Sequence, residues 1–492
     1  MELYEMEKAK VVSLIESNSS KVAITTNMWT CGSQTKGFIH VQARHTSQVL
    51  CDILLRCLMD LNLERKLSAL TVDNCTTNDR MIQLLLDKLD KNDFLMGGKL
   101  FHMRCTAHIL NLIVKEGLSV ISDGVAKIRA SVAFWTVTPQ RREKIKEISR
   151  RLNIPCSKEL VLDCITRWNS TYLMISVALE YKNVFYRLHQ LEAQYRCLPS
   201  ESEWELARIL SNNLKSFYNV TEVFSGTKYP TSNLFFIHIC EIRLSLGSWL
   251  TCEHDEVRQM ATNMIGKFEK YWKDVNGVLT VATMLDPRYK MKLIEFYFPL
   301  LYGDESNIHI ERVQMLLKEL IKKYEFKAKL SVSGPSAGAF SSSIGESSVV
   351  MSHVEEQLSS RYDDFLKVNM VENRKTELES YLSEYVLIIK DKNFDILGWW
   401  KINAIQYPLL STIASDILAI PVSTVAFESA FSTCGRVVSP HRNRLHSQTV
   451  EALMCTQSWL NAYTRDNGHT TSSENPTFAD EEKVDAEIEE CG

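Results

Sequence analysis

The sequence predicts an α/β protein with a large, mainly helical middle and a separate helical C-terminal region, and three observations predict it. Residues from about Val22 to Leu112 alternate between period-2 apolar runs and stretches with helical spacing. From about Ser119 to Lys329 helical patterns dominate, and a Ser/Gly-rich stretch then breaks them.

Taken in order, "KVAITTNMW" and "KGFIHVQARH" alternate with period 2 around the turn-like "TCGSQT", which predicts a hairpin. "LSALTVDN" reads as a further apolar strand ending on Asp73. "DRMIQLLLDKLDK" follows at helical spacing, with Thr77, Asn78 and Asp79 as candidate caps. "KLFHMRC" is a short strand that feeds the amphipathic "TAHILNLIVKEGL". "TPQRREKIKEISRRL", "EWELARILSNNLKSFYNVTEVF" and "HIERVQMLLKELIKKYEFKAKL" are predicted helices, with Pro139 and Pro230 at helix starts. The domain reading is 1–114 for the first α/β part, 115–329 for the helical middle, 330–360 for a disordered Ser/Gly-rich linker, 361–462 for the C-terminal region and 463–492 for an acidic disordered tail.

Bulk properties set limits. The chain has 492 residues, 45% hydrophobic and 24% charged, with a net charge of −4, a globular profile that gives no global case for nucleic acid. No apolar run reaches the ~18 residues of a membrane span, and "MELYEMEKAK" lacks the order of a secretory signal. Thirteen cysteines lack a repeating framework, and most of them read as reduced, buried apolar residues.

Three polar positions stand where catalytic carboxylates would sit: Asn27 ending a strand, Asp73 ending another, and Glu428 in "VAFESAFSTCG". Two-metal phosphoryl chemistry needs several carboxylates, because two divalent ions roughly 3.5–4 Å apart repel each other. By themselves, an Asp at a strand end and a Glu on a helix are more often a cap and a solvated side chain. "ITTNMWT", "LTVDNCTTND", "RCTAHILNLIVKEGL", "LDCITRWNSTYLM", "FSGTKYPTSNLFF", "VATMLDPRYKMKL" and "PVSTVAFESAFSTCGRVVSPHRNRL" occur in this order. Together they resemble the hAT (hobo/Activator/Tam3) transposases, and most closely the plant domesticated RICESLEEPER and DAYSLEEPER group.

That resemblance implies an RNase H-like core interrupted by a large all-α insertion and completed by a mainly helical C-terminal dimerisation region. It places the family's catalytic carboxylates on Asn27, Asp73 and Glu428, of which the first is an amide here. An amide oxygen is a weaker Mg²⁺ ligand and leaves ion–ion repulsion less compensated, so the site is expected to be inactive. No cofactor is expected, Mg²⁺ entering only if activity is retained. Zinc is not expected either, because the family's N-terminal BED finger is not in this sequence.

For dimerisation the resemblance points to Trp399, Trp400, Tyr407, Pro408, Leu409, Phe427 and Phe431. Phe427 and Cys434 depart from the family's small residue and Gly. The apolar surroundings of Trp399-Trp400 fit a core or a dimer interface better than a base-stacking platform. Candidate DNA contacts are Arg104, His108, Arg167, Trp168, Arg436, Arg442 and Arg444. For Trp168 a core anchor is the competing reading, with Arg167 pairing a carboxylate such as Asp163. Cys105 and His108 have half the spacing of a zinc site without a second pair, and the alternative is a packed Cys with a hydrogen-bonded His. Acidic residues interleave the cluster at 138–152, which reads as a solvated helix face. The expectation is a nuclear, DNA-associated protein that dimerises with itself or with related hAT-derived proteins, acts in regulation and does not contact membrane. An active transposase cutting and joining DNA and a dimerisation partner without DNA affinity are the alternatives.

Overall fold

The computed structural model describes residues 2–26, 46–154, 158–164, 167–332, 361, 375–389, 394–425 and 447–466. Among the described residues the sheet has three parallel strands in the order β1 (Val22–Thr25), β2 (Leu67–Val72), β3 (His102–Arg104). All six residues of β2 are buried, as a central parallel strand covered on both faces requires. Leu70 and Val72 face a small core built with Leu58 of α2 (Ser47–Asp60) and Met81, Ile82 and Leu85 of α3 (Thr76–Lys88). Ala69 and Met103 belong to the larger core on the other side. The second strand of the expected hairpin lies outside the described residues.

The helix after β2 starts at Thr76, with Cys75 at its N-cap and no side-chain cap. Thr77, Asn78 and Asp79 therefore sit inside the first turn rather than capping it. This leaves the Asn78 and Asp79 side chains available to bond across to the neighbouring strand ends.

Helices fill the middle of the chain. From α4 (Thr106–Leu118) they run through α5 (Ser122–Thr136), α6 (Pro139–Arg151), α7 (Trp168–Glu180), α8 (Lys182–Leu191), α9 (Glu201–Phe224), α10 (Ser232–Trp249), α11 (Asp255–Met284) and α12 (Lys292–Tyr302) to α13 (Ser306–Val332). Pro139 does occupy the first turn of α6, capped by Thr138. Pro230 instead precedes Thr231, the N-cap of α10. A capping box of Ser200 and Glu203 starts α9. The long α11 packs along α10 and α4 and is the spine of the large core. Two lysines of the α6 basic cluster are paired to acids, Lys144 at 2.9 Å from Glu192 and Lys146 at 3.3 Å from Glu159. That pairing fits a solvated face.

The C-terminal part contributes α14 (Glu377–Ser383), α15 (Ile396–Ile402), α16 (Pro408–Leu418) and α17 (Ser447–Asp466). The last helix runs four residues into the stretch read from sequence as tail. It packs against α1 (Glu2–Ser17): Tyr4 Oη donates to Glu451 at 2.6 Å and its ring stacks on Trp459 at 5.9 Å.

A buried carboxylate on α16 ties three regions together. Asp416 accepts from the Lys21 backbone N–H at 2.8 Å, at the entry to β1, and from Tyr324 Oη of α13 at 2.5 Å. Burial pushes the Asp416 carboxyl above its ordinary range, while these hydrogen bonds pull it down. A raised folded-state pKa stabilises the fold below the unfolded carboxylate value, and that contribution is lost as pH rises through the raised one. Asp416→Asn is therefore expected to gain in urea-unfolding midpoint relative to wild type between about pH 4 and neutrality. A midpoint difference that does not change with pH would remove Asp416 as the titrating group.

Candidate functional site at the strand ends

The parallel strands β2 and β3 deliver their C-terminal ends side by side, with Val72 paired to Arg104. Asp73 follows directly, between the first turns of α3 and α4. Asn78 Nδ2 donates to Asp73 Oδ1 in a short hydrogen bond. On the first turn of α4, burial lowers the pKa of His108, with the charge of Asp73 pulling it up and Lys115 adding to the depression. A neutral imidazole and an amide thus face this carboxylate.

The next acid along is already committed. Asp79 lies 3.3 Å from Arg104 and 3.7 Å from His102. Arg104, a candidate DNA contact by sequence, spends its charge on that internal partner.

A distant part of the chain docks at the same place. Thr71 Oγ1 donates to the Pro421 carbonyl at 2.7 Å, and the Thr106 N–H donates to the Val422 carbonyl at 2.8 Å. Val422 N–H in turn donates to Thr231 Oγ1 at 3.3 Å. The Cys105 thiol accepts from both the N–H and the Oγ1 of Thr424 at 3.3 Å, and Cys105, Ala107 and Val425 form a small apolar cluster. Cys105 is thus packed at a helix start. Segment 421–425 leads toward Glu428, yet Glu428 and Asn27 both lie outside the described residues.

Asp73 is therefore the described member of the expected catalytic three. Its Oδ1 accepts from Asn78, and a two-metal centre would need carboxylates from the other two positions as well. Among them, no group of three His, Cys, Asp or Glu side chains is arranged to hold a metal.

The remaining candidates divide clearly. Trp168 is 3% exposed and packs edge-on to Phe217 at 6.5 Å, so its face is filled by the core and is closed to a nucleobase. Arg167 is the N-cap residue of α7. The suggested partner Asp163 is taken by another cation: Arg129 makes two 2.7 Å bonds to its carboxylate, and Thr171 Oγ1 adds a third at 2.7 Å. Arg436, Arg442, Arg444, Phe427 and Phe431 lie outside the described residues.

Trp400 and Tyr407 are buried within this one chain. Trp400 Nε1 donates to the Leu285 carbonyl at 2.8 Å, and its ring sits 5.3 Å from that of Tyr381. Trp399 and Leu409 are half-buried against the same core, while Pro408 is exposed at the start of α16. Sequence reasoning missed what holds these aromatics: the "LDPRYK" turn at 285–290. Asp286 is fully buried and accepts from Asn233 at 2.8 Å and from Arg288 at 2.7 and 3.0 Å. Lys290 donates to the Tyr381 carbonyl at 2.6 Å. The available signal was three charges of mixed sign inside an otherwise apolar stretch.

A parallel α/β unit with an acid at the end of its central strand, and a remote C-terminal segment docked beside it, belongs with the RNase-H-fold transposase-related proteins. Family models match in chain order: the ZBED1 RNase-like domain at 25–100, the ZBED1 RNase-like helical domain at 103–213, the hAT-like transposase RNase-H fold at 233–324 and the hAT family C-terminal dimerisation region at 377–460. The chain belongs to the hAT family of transposase-related proteins. It is 37% identical over 486 residues to the Zea mays protein named "Putative AC transposase", covering 94% of this chain and 59% of that one. It is 33% identical over 490 residues to "Zinc finger BED domain-containing protein RICESLEEPER 2" of Oryza sativa subsp. japonica, covering 93% of this chain and 67% of that protein. Against "Zinc finger BED domain-containing protein DAYSLEEPER" of Arabidopsis thaliana the identity is 28% over 478 residues, covering 93% and 66%. The chain spans about three fifths of the length of the AC-type maize relatives, 59% and 62%.

Proposed function

We propose that this protein is a domesticated hAT transposase derivative: nuclear, DNA-associated, self-associating, and acting in regulation without transposition chemistry. The observation that carries the reading is Asn27, an amide where the family resemblance calls for an acid, while Asp73 is kept at its strand end. In this reading the core is RNase H-like and interrupted by the helical region at 115–329, and residues 361–462 complete it and dimerise. No cofactor is needed. The names of the relatives, transposases and BED zinc-finger proteins, support a nuclear place. No helix among the described residues is long and apolar enough to cross a membrane.

Arg104 and Trp168 are engaged internally, so DNA affinity is assigned to Arg436, Arg442 and Arg444. A partner copy from a BED-containing relative would add a zinc-dependent grip. Titrating duplex binding against salt tests this: binding is expected at low salt, and neutralising Arg436, Arg442 and Arg444 together should flatten the log–log slope by up to ~0.9 for each phosphate no longer neutralised. No binding even at low salt would leave the dimerisation-partner reading. The second reading, an active transposase, draws on Asp73 and on the docking of segment 421–425 beside it.

A further inference from the structure

We propose that two copies of this chain meet patch on patch through a face formed by Tyr385, Ile388, Ile402 and Ile405, with Trp400 and Tyr407 serving as its foundation and not as its contact surface. The proposal rests on the self-association reading above and names the surface that performs it. Tyr385 is 97% exposed, Ile388 88%, Ile402 79% and Ile405 96%. Burial of apolar surface is the main favourable term in folding and association, and soluble chains concentrate such exposed side chains where a partner covers them.

Two separate stretches are brought to one place. Gln406 Nε2 donates to Glu384 Oε1 at 3.1 Å, and Tyr407 Oη donates to the same oxygen. Tyr385 and Ile405 are the immediate chain neighbours of that joined pair. The mount beneath is firm. The Leu387 N–H donates to the Pro287 carbonyl at 2.9 Å, which fastens the 384–389 stretch along the 285–290 turn. The indole of Trp400, on the helix that ends at Ile402, is anchored to the Leu285 carbonyl of that same turn.

A second copy is the occupant that fits. All four residues fall inside 377–460, the stretch matched by the hAT C-terminal dimerisation region. A surface that covers its own counterpart around a twofold axis needs no charge complementarity, only apolar area in a fixed shape.

The test is light scattering of the full chain over a range of concentrations, comparing wild type with the double variant Ile388→Lys/Ile405→Lys. Wild type is expected at twice the chain mass. The variant is expected at the single-chain mass, with the dissociation constant raised at least about 100-fold and an unchanged circular dichroism spectrum. A folded variant that stays as dimeric as wild type overturns the proposed face and leaves self-association standing. A wild type that runs at single-chain mass throughout overturns the self-association reading, and the face with it.

Discussion

Purified wild-type chain is expected to leave terminal-inverted-repeat DNA uncut in Mg²⁺ or Mn²⁺, and Asn27→Asp to gain nicking that a further Asp73→Ala abolishes. The gain should be on the order of a thousandfold or more, the scale on which removal of transition-state charge stabilisation acts. The reason is electrostatic. An amide matches a carboxylate in shape but carries no charge, and its neighbours Thr25, Thr26 and Thr30 are neutral. Asp73 cannot compensate alone, since it supplies a single negative charge against two divalent ions. Asp73-dependent cleavage by the wild type would reverse the proposed function in favour of an active transposase. No gain in Asn27→Asp would mean that the departures at Phe427 and Cys434 also matter.

Trp400→Ala is expected to cost about 3–5 kcal/mol of stability, the usual range for emptying a buried aromatic site. Trp400 is 2% exposed, touches Tyr381 and Trp399, and holds the Leu285 carbonyl; its removal leaves both a cavity and an unpaired acceptor. The urea midpoint should fall at every protein concentration, because the packing that Trp400 supplies lies within one chain. Ile405→Lys, at an exposed position, should leave the single-chain fold intact. A Trp400→Ala variant with an unchanged midpoint but a halved particle mass would instead put Trp400 at a subunit contact.

Much of the fold was legible wherever the information is local. The run "LSALTV" reads as a buried strand because a central parallel strand is apolar on both faces, and Asp73 ends it as the pattern says. The α9 and α13 helices follow from their 3.6-residue spacing, and the start of α6 from Thr138 and Pro139. The site was legible through its ordered motifs, which give family membership and the position of Asp73. It was not legible in the partners of its charged groups. Arg104, Arg129 and Lys290 look alike in sequence as cations in mixed surroundings, yet each is tied to a different internal acceptor: Asp79, Asp163 and the Tyr381 carbonyl.

By itself, then, the sequence determined the family, the alternation of strands and helices, the acid at the end of β2 and the amide at position 27. Periodicity and residue identity are short-range properties that the chain carries wherever it goes. Only the tertiary structure decided that Trp168 and Trp400 face inward, that the 285–290 turn anchors the C-terminal aromatics, and that segment 421–425 returns to the strand ends. Those outcomes depend on contacts such as Thr71 with Pro421 and Cys105 with Thr424, made between residues more than 300 positions apart. Such contacts are selected by how whole layers pack and by the need to pair every buried polar group, and no local pattern encodes the partner.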